Sequence, residues 1–511
     1  MTLTSTHARI DTEKFRLRTF VEKLRDIGEL EQIDEPIALT ELSLRIEAST
    51  TAKLFTCVGP QKYQIAAGMA AGRKRLAAAF GVSERETVHE YMRRLATPQS
   101  IVEIDSSDAP VHAVVISGDD VDLNALPFHL QHEFDGGVYI STAIDFSMEP
   151  SGRRNIGCRR LMLRSRNTLQ ANLTAESDLK RAYIASVKRG ERYPVTFVIG
   201  SSPLDYLAAT QRQQVDEFDL LAAIRGETTA MVRGITNGVA VPADAELTIE
   251  GYFDELGYRE MEGPYGEFYG FYGPSHIDPV FHVTAITHRR DVLHHTLQHS
   301  GKLIARADGS NLASLSTEVA TWRALRAVRI EPAAVHAAPA ATGRLHVRVA
   351  LTEPRPGQAR SVISALFALP VVKQVVVVDD DVDVCDDDEI LWAMNARFRA
   401  DRDLIVTPGM PANYADPMTE QRTIAKIGFD CTKPAPADRP VDEVRAFSVP
   451  LGASRTAATV REALASGPRF FSELIVALGS RDGREIAMEL HALRDAGLLD
   501  RKTNGAWFLT S

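Results

Sequence analysis

Apolar residues at Phe15, Leu17, Phe20, Val21 and Leu24 recur every three or four positions, which marks a helix with one buried face. Glu35-Pro36 interrupts this pattern, so residues 14–50 are predicted as helix, turn and helix. Residues 86–95 form another amphipathic helix. The period then shortens. A β-branched run at 111–116 reads as a strand, and an irregular stretch from 122 carries His129, His132, Gly136 and Gly137. From 139 to 148 apolar and polar positions alternate, Glu149-Pro150-Ser151-Gly152 turns the chain, and 156–163 return as a second strand. Helices are predicted at 178–189 and 216–224, and further strands at 195–200, 245–251 and 280–288.

Beyond a helix at 315–327 the pattern alternates strand and helix: 345–351, 360–367, 375–378 and 389–398, the order of a compact α/β domain. The proline-rich segment from Lys433-Pro434-Ala435-Pro436 to Pro440 has the composition of a linker. The tail then reads as three helices (457–465, 471–478, 483–496) and a hairpin about Thr503-Asn504-Gly505, a winged-helix pattern. The predicted class is α+β. It comprises an N-terminal α/β region (1–125), a central split β-barrel domain for a cofactor (126–312), a linking helix (313–330), an α/β oligomerisation domain (331–435), a linker (436–454) and a winged-helix-like module (455–511).

Composition narrows the picture. With 511 residues, 25% charged and 44% hydrophobic, the chain is an ordinary globular protein of two to four domains. A formal charge of −10 argues against broad nucleic-acid binding, and the tail, with eight basic and seven acidic residues, lacks the excess positive charge of a DNA reader. Cys57, Cys158, Cys385 and Cys431 are widely spaced and form neither a zinc motif nor a disulfide framework, so a reducing cytoplasm is expected. The first nine residues have no apolar core of a signal peptide. The apolar run 365–378 is broken by Pro370 and Lys373 and is too short to span a bilayer. The acidic run 379–388 is read as a solvated strand end in preference to a metal site.

Chemistry concentrates in Glu262-Gly263-Pro264-Tyr265-Gly266-Glu267. Pro264 and the flanking glycines exclude a helix, so both carboxylates sit on a rigid loop where one can carry protons and the other can position a partner. The plain alternative is two solvated glutamates beside a turn. Asn155 and Arg160, five residues apart on a predicted strand, point to opposite faces unless a bulge intervenes. Asn155 and Glu217, with a further acid between them, make an oxygen-rich set suited to Mg²⁺ or Mn²⁺.

In combination these segments resemble the UbiD-type decarboxylases. The resemblance rests on the order of five motifs across about residues 12–435. They are Asn155-x-Gly157-x-x-Arg160; Glu217 within 216–227; Val241-Pro242-Ala243-Asp244-Ala245-Glu246; Glu262 to Glu267; and Lys426-Ile427-Gly428-Phe429-Asp430. It implies reversible decarboxylation of an aromatic or heteroaromatic acid with prenylated FMN, Mn²⁺ (or Mg²⁺) and K⁺, the cofactor acting as electron sink. A CoA thioester, an α,β-unsaturated acid, or a non-catalytic role built on the tail are the alternatives.

By this resemblance Arg160, Glu262 and Glu267 form the catalytic network. Glu267 is the proton donor, its pKa raised by partial burial, and Glu262 orients Arg160. Asn155, Ile156, Gly157, Cys158, Arg159, Thr142 and Lys426 meet the cofactor, and Asn155 and Glu217 hold the metal. The family's third metal ligand is a His. None stands there in this chain, so Glu176 takes the place by spacing, with Asp178 as fallback. His294, His299 and Arg306 are assigned to the substrate wall, although ordinary surface histidines would read the same. A flavin prenyltransferase is expected as cofactor supplier, and the chain as a homodimer or homohexamer.

Overall fold

Burying one face of a sheet while leaving no open edge is met here by closure. The computed structural model describes residues 10–211, 215–413, 415–433 and 455–510. Six antiparallel strands close on themselves: β1 (Tyr139–Met148), β2 (Arg154–Leu163), β3 (Thr168–Ala171), β4 (Tyr193–Ile199), β5 (Leu247–Phe253) and β6 (Val280–His288). The cyclic order is β1-β2-β3-β6-β5-β4. A closed sheet pairs every strand on both sides. One of its cores is an aromatic cluster of Phe197, Phe253 and Phe281, with Phe197 and Phe281 edge-on at 4.8 Å.

One irregularity matters for function. Ile140 pairs with Leu161 and Ala143 with Arg159, so Ser141 and Thr142 together oppose the single residue Arg160. This bulge bends β1 directly opposite Arg160.

The N-terminal region is more sheet-rich than predicted. Helices Leu17–Asp26 and Leu42–Glu47 are present, but Leu30–Ile33, Ala52–Val58 and Tyr63–Ala67 form a sheet, completed in parallel by His294–Thr296. Leu30–Ile33 is too short for alternation to show. The strand read at 111–116 lies at Val114–Ser117 and pairs with β6. Two members of the 241–246 motif are structural. Asp244 and Asp205 flank the buried Arg225, each at 2.7 Å, and Glu246 pairs with Arg16 at 2.9 Å.

Helix Asp308–Ala327 leads to a five-stranded mixed sheet ordered Ala334–Ala337, His346–Leu351, Gln374–Asp379, Thr423–Asp430, Leu404–Pro411. In the acidic run, Asp386 caps helix Asp387–Ala396 through the Asp388 and Glu389 amides, and Asp381 pairs with Arg397 at 2.7 Å.

The chain divides into two compact units, 1–432 and 433–511. In the second, helices Val460–Leu464, Phe471–Leu478 and Arg484–Asp495 precede a hairpin of Leu499–Arg501 with Trp507–Leu509, around a core of Val460, Leu474, Ile486 and Leu490. The predicted linker 436–454 and the first nine residues lie outside the described residues. Among the described residues no helix is long and apolar enough to cross a membrane.

Candidate active site

Strand β2 carries both halves of the site. Near its start Ser147 opposes Asn155 and Asp145 opposes Gly157 across β1. Asp145 is fully buried, and a Cβ on Gly157 would lie 2.9 Å from its Oδ2, so the glycine makes room for that carboxylate. Asn155 Nδ2 donates to Asp145 Oδ1 at 3.2 Å, and Arg159 Nε lies 3.2 Å from Asp145 Oδ2. Glu217 opens helix Glu217–Arg225 under an Asp216 N-cap, and its Oε2 accepts the Ile156 amide at 2.6 Å.

Burial pushes the carboxyls of Asp145 and Glu217 up to about 6 each. Arg159 opposes the shift at Asp145, the Ile156 amide opposes it at Glu217, and the Asp145 charge adds to it at Glu217. This end of β2 faces a cavity of about 1830 Å³ whose wall includes Asn155, Glu217, Cys158 and Arg159 together with Arg153, Arg181, Arg323, Arg344 and Arg422.

Farther along β2, Arg160 turns towards the other loop. Its Nε and Nη2 each donate to Glu262 at 2.8 Å, and Nη1 donates to Glu267 at 2.5 Å. The guanidinium stacks over Tyr265 at 4.5 Å. Glu262 is fully buried, while the Glu267 side chain is 28% exposed. The loop itself is anchored. The Gly136 amide donates to the Pro264 carbonyl at 2.8 Å, the Gly266 amide to Asp135 at 2.9 Å, and the Gly263-Pro264 peptide is cis. The His- and Gly-rich stretch before β1 is thus the platform for the two glutamates. Asn172 and Phe268 line the cavity and border this network.

One expectation is reversed. Burial tends to raise the Glu267 carboxyl, but His299 and Arg160 together hold it down to about 2, so the resting side chain is an anion and not a poised acid.

Residues 102–302 match the model of the 3-octaprenyl-4-hydroxybenzoate carboxy-lyase Rift-related domain, and 310–431 that of the C-terminal domain of the same enzyme. The chain belongs to the UbiD family. It is 30% identical over 420 residues to the anhydromevalonate phosphate decarboxylase of Methanosarcina mazei, covering 81% of this chain and 96% of that one. The UbiD-class enzyme HmfF of Pelotomaculum thermopropionicum in complex with FMN superimposes with a TM-score of 0.79 at 29% identity, over 85% of this chain and 97% of its own. An evolved dimeric form of the same enzyme in complex with prFMN gives 0.77 at 27%, with the same coverage. The chain is accordingly a carboxy-lyase at the level of the family.

Within this UbiD fold the other expected site residues fall in different places. Ile156, Gly157, Cys158 and Arg159 line the cavity. Thr142 does not: it is fully buried, and its hydroxyl donates to the His295 carbonyl at 2.7 Å. Lys426 is also sealed, its ammonium on the carbonyls of Phe367 (2.8 Å) and Leu369 (2.6 Å), so it supports the 369–371 edge of the cavity from behind. Glu176 lies on the wall but is 68% exposed and paired with Lys180. Asp178, its fallback, pairs with Arg153 at 2.6 Å.

The substrate histidines diverge. His299 lies 3.9 Å from Glu267, whereas His294 packs edge-on against Tyr63 at 5.1 Å in the N-terminal core. Arg306 lies in the turn Ile304–Arg306 and lines a small pocket with Lys53 and Arg75 that Arg160 does not share. A strand alternates its side chains, so in His294–Thr296 the His294 ring meets Tyr63 while the next ring, His295, meets Tyr206.

Asp145, Asn172, His276 and Asp278 were missed. Asp145 had a signal, a carboxylate inside the strand run Ala143-Ile144-Asp145-Phe146. His276 and Asp278 occupy a three-residue strand that carries none.

These donors fit the family's groups. Two buried carboxylates beside an amide, both pushed towards protonation, are what a divalent cation relieves. Six arginines on the same cavity suit a phosphate.

Proposed function

We propose that this chain decarboxylates an aromatic or heteroaromatic carboxylic acid with prenylated FMN. The observation that carries the reading is a buried guanidinium bridging two carboxylates, bordering a cavity whose wall offers Asn155 and Glu217. Prenylated FMN, when bound, supplies the electron sink for loss of CO₂ from an unsaturated carbon. Asn155 and Glu217 would hold Mn²⁺ or Mg²⁺ with Asp145 behind them and Glu176 or Asp178 completing the set. K⁺ is the second cation of this reading.

The protein's own residues handle charge and protons. Glu262 fixes the Arg160 plane by a two-point bond and leaves Arg160 to receive a substrate carboxylate. Such a carboxylate shares the guanidinium charge and places a like charge near Glu267. Both effects raise the Glu267 pKa from its resting low value, so the group gains a proton when substrate is present and delivers it to the carbon that loses CO₂. Phe268 and His299, with ring centroids 6.1 Å apart, would form an aromatic wall that favours a flat substrate, backed by the buried Tyr265 at 5.8 Å from His299.

The test is co-expression with a flavin prenyltransferase, absorbance and mass of the extracted cofactor, and a CO₂-release screen of aromatic acids. Absence of any flavin sinks the reading. Identity to the Methanosarcina mazei enzyme supports a second substrate reading, an unsaturated acid such as anhydromevalonate phosphate, and it belongs in the same screen. Homo-oligomerisation through the 331–435 domain is part of the proposal.

A further inference from the structure

Glu262 does not stand alone behind Arg160. The strand Glu260–Glu262 pairs with His276–Asp278, and the register sets Glu262 opposite His276. His276 Nε2 lies 3.4 Å from Glu262 Oε2, 3.4 Å from Arg160 Nη2 and 2.9 Å from Asn172 Nδ2. On the other side of the ring, Nδ1 is 2.7 Å from Asp278 Oδ2. The two atoms are not in line for an ideal hydrogen bond, but neither has another hydrogen-bond partner among the described residues. Asp278 is fully buried, and its Oδ1 takes the Leu173 amide at 3.0 Å.

Proton inventory decides the tautomer. The Asn172 amide nitrogen at 2.9 Å and the Arg160 guanidinium can only donate, and Glu262 Oε2, the acceptor on this side, already takes Arg160 Nη2 at 2.8 Å, so the ring nitrogen accepts. The ring proton then sits on Nδ1, towards the Asp278 carboxylate. A carboxylate that orients an imidazole in this way fixes which nitrogen carries the lone pair.

We propose that His276, fixed as the Nδ1–H tautomer by Asp278, is a positioning residue of the Glu262–Arg160–Glu267 network. Its lone pair holds Arg160 Nη2 and Asn172 in the plane that Glu262 also requires. A second proton, on Nε2, would aim one N–H at two donors and draw Glu262 Oε2 away from Arg160. The charged groups facing the ring are Arg160 from β2, Glu262 from the paired strand and Asp278 from its own. Glu262, His276 and Asp278 also approach closely enough to ligate a metal, but both Glu262 oxygens are engaged by Arg160. The effect on turnover rests on the decarboxylase reading, whereas the tautomer does not.

The first arm of the test is a long-range ¹H–¹⁵N spectrum of the full chain labelled with ¹⁵N-histidine, near neutral pH. The His276 signal is identified by its loss in His276→Gln. A protonated Nδ1 with a bare Nε2 is expected, and the preference should disappear in Asp278→Asn. A protonated Nε2, or a shift typical of a metal-bound nitrogen, overturns the assignment.

The second arm uses the cofactor-loaded enzyme on an acid that the unmodified protein decarboxylates. His276→Leu should lower kcat by about 10–100-fold with flavin content unchanged, because a small displacement of Arg160 misaligns the reacting groups. His276→Gln, which keeps an acceptor at the Nε2 position, should stay within about threefold on the same ground. Full kcat in His276→Leu, or equal losses in both variants, overturns the positioning role. If the unmodified protein decarboxylates nothing, the functional reading fails while the spectrum still decides the tautomer.

Discussion

Arg160 and Glu262 meet through two parallel hydrogen bonds of 2.8 Å, and the carboxylate has no solvent exposure at all. Such a fork fixes a plane as well as a distance, which a lysine ammonium cannot reproduce. Arg160→Lys should therefore lose at least ~100-fold in kcat while still binding flavin. Glu262→Leu removes the buried partner and should cost about 3–5 kcal/mol of stability. Urea unfolding checks the second figure, and an unchanged midpoint would count against the buried pair.

Glu267 couples stability to pH. Its carboxyl is held down to about 2 from an ordinary 4.5. A carboxyl with a depressed folded-state pKa adds stability above its unfolded pKa and loses it as pH falls through the folded value. The Glu267 contribution should thus be present at pH 6 and fade between about 4.5 and about 2. In Glu267→Gln that stretch of the stability profile should be flatter, as measured by denaturant unfolding at each pH. The same variant should keep its cofactor yet lose decarboxylation and substrate H/D exchange, and full activity would sink the donor assignment.

Mn²⁺ should raise the melting temperature of the flavin-free protein. A ligand at about 100 times its Kd adds about 2.7 kcal/mol. The rise should vanish in Glu217→Gln and shrink in Asn155→Ala. An equal rise in all three proteins would place the metal elsewhere.

Gly136 is the tightest point beneath the glutamate loop. A Cβ there would lie 2.1 Å from the Gly263 carbonyl oxygen. Backbone must move to admit it, so Gly136→Ala should cost about 1–3 kcal/mol and reduce kcat by displacing Glu262 and Glu267. A crystal structure of the variant with the loop in place, and full activity, would contradict this.

Residues 455–510 have their own apolar core around Leu474 and Leu490. Expressed alone, 450–511 should unfold cooperatively, and the chain ending at 432 should retain flavin binding. Non-cooperative melting of the isolated tail would show that the core is insufficient.

The strand period before and after the Glu149–Gly152 turn, the breakers and the motif order were enough to read an α+β chain with a barrel at its centre and to single out Arg160, Glu262 and Glu267. Those signals are local, because each depends on residues near in the chain or on chemistry at a fixed spacing. Barrel closure was not local. It requires Leu247–Phe253 to pair with both Tyr193–Ile199 and Val280–His288. Placement of His294 against Tyr63 and of Lys426 on two carbonyls depended on which strand face each residue took after long-range pairing, and that of Arg306 on where the turn Ile304–Arg306 was laid down. The charge state of Glu267 was likewise a tertiary outcome, because burial alone would have raised the pKa and only the approach of His299 and Arg160 reversed it. Asp145 was legible as a carboxylate inside a strand, but its place against Gly157, like that of His276 against Glu262 fourteen residues away, exists only once the sheet has formed.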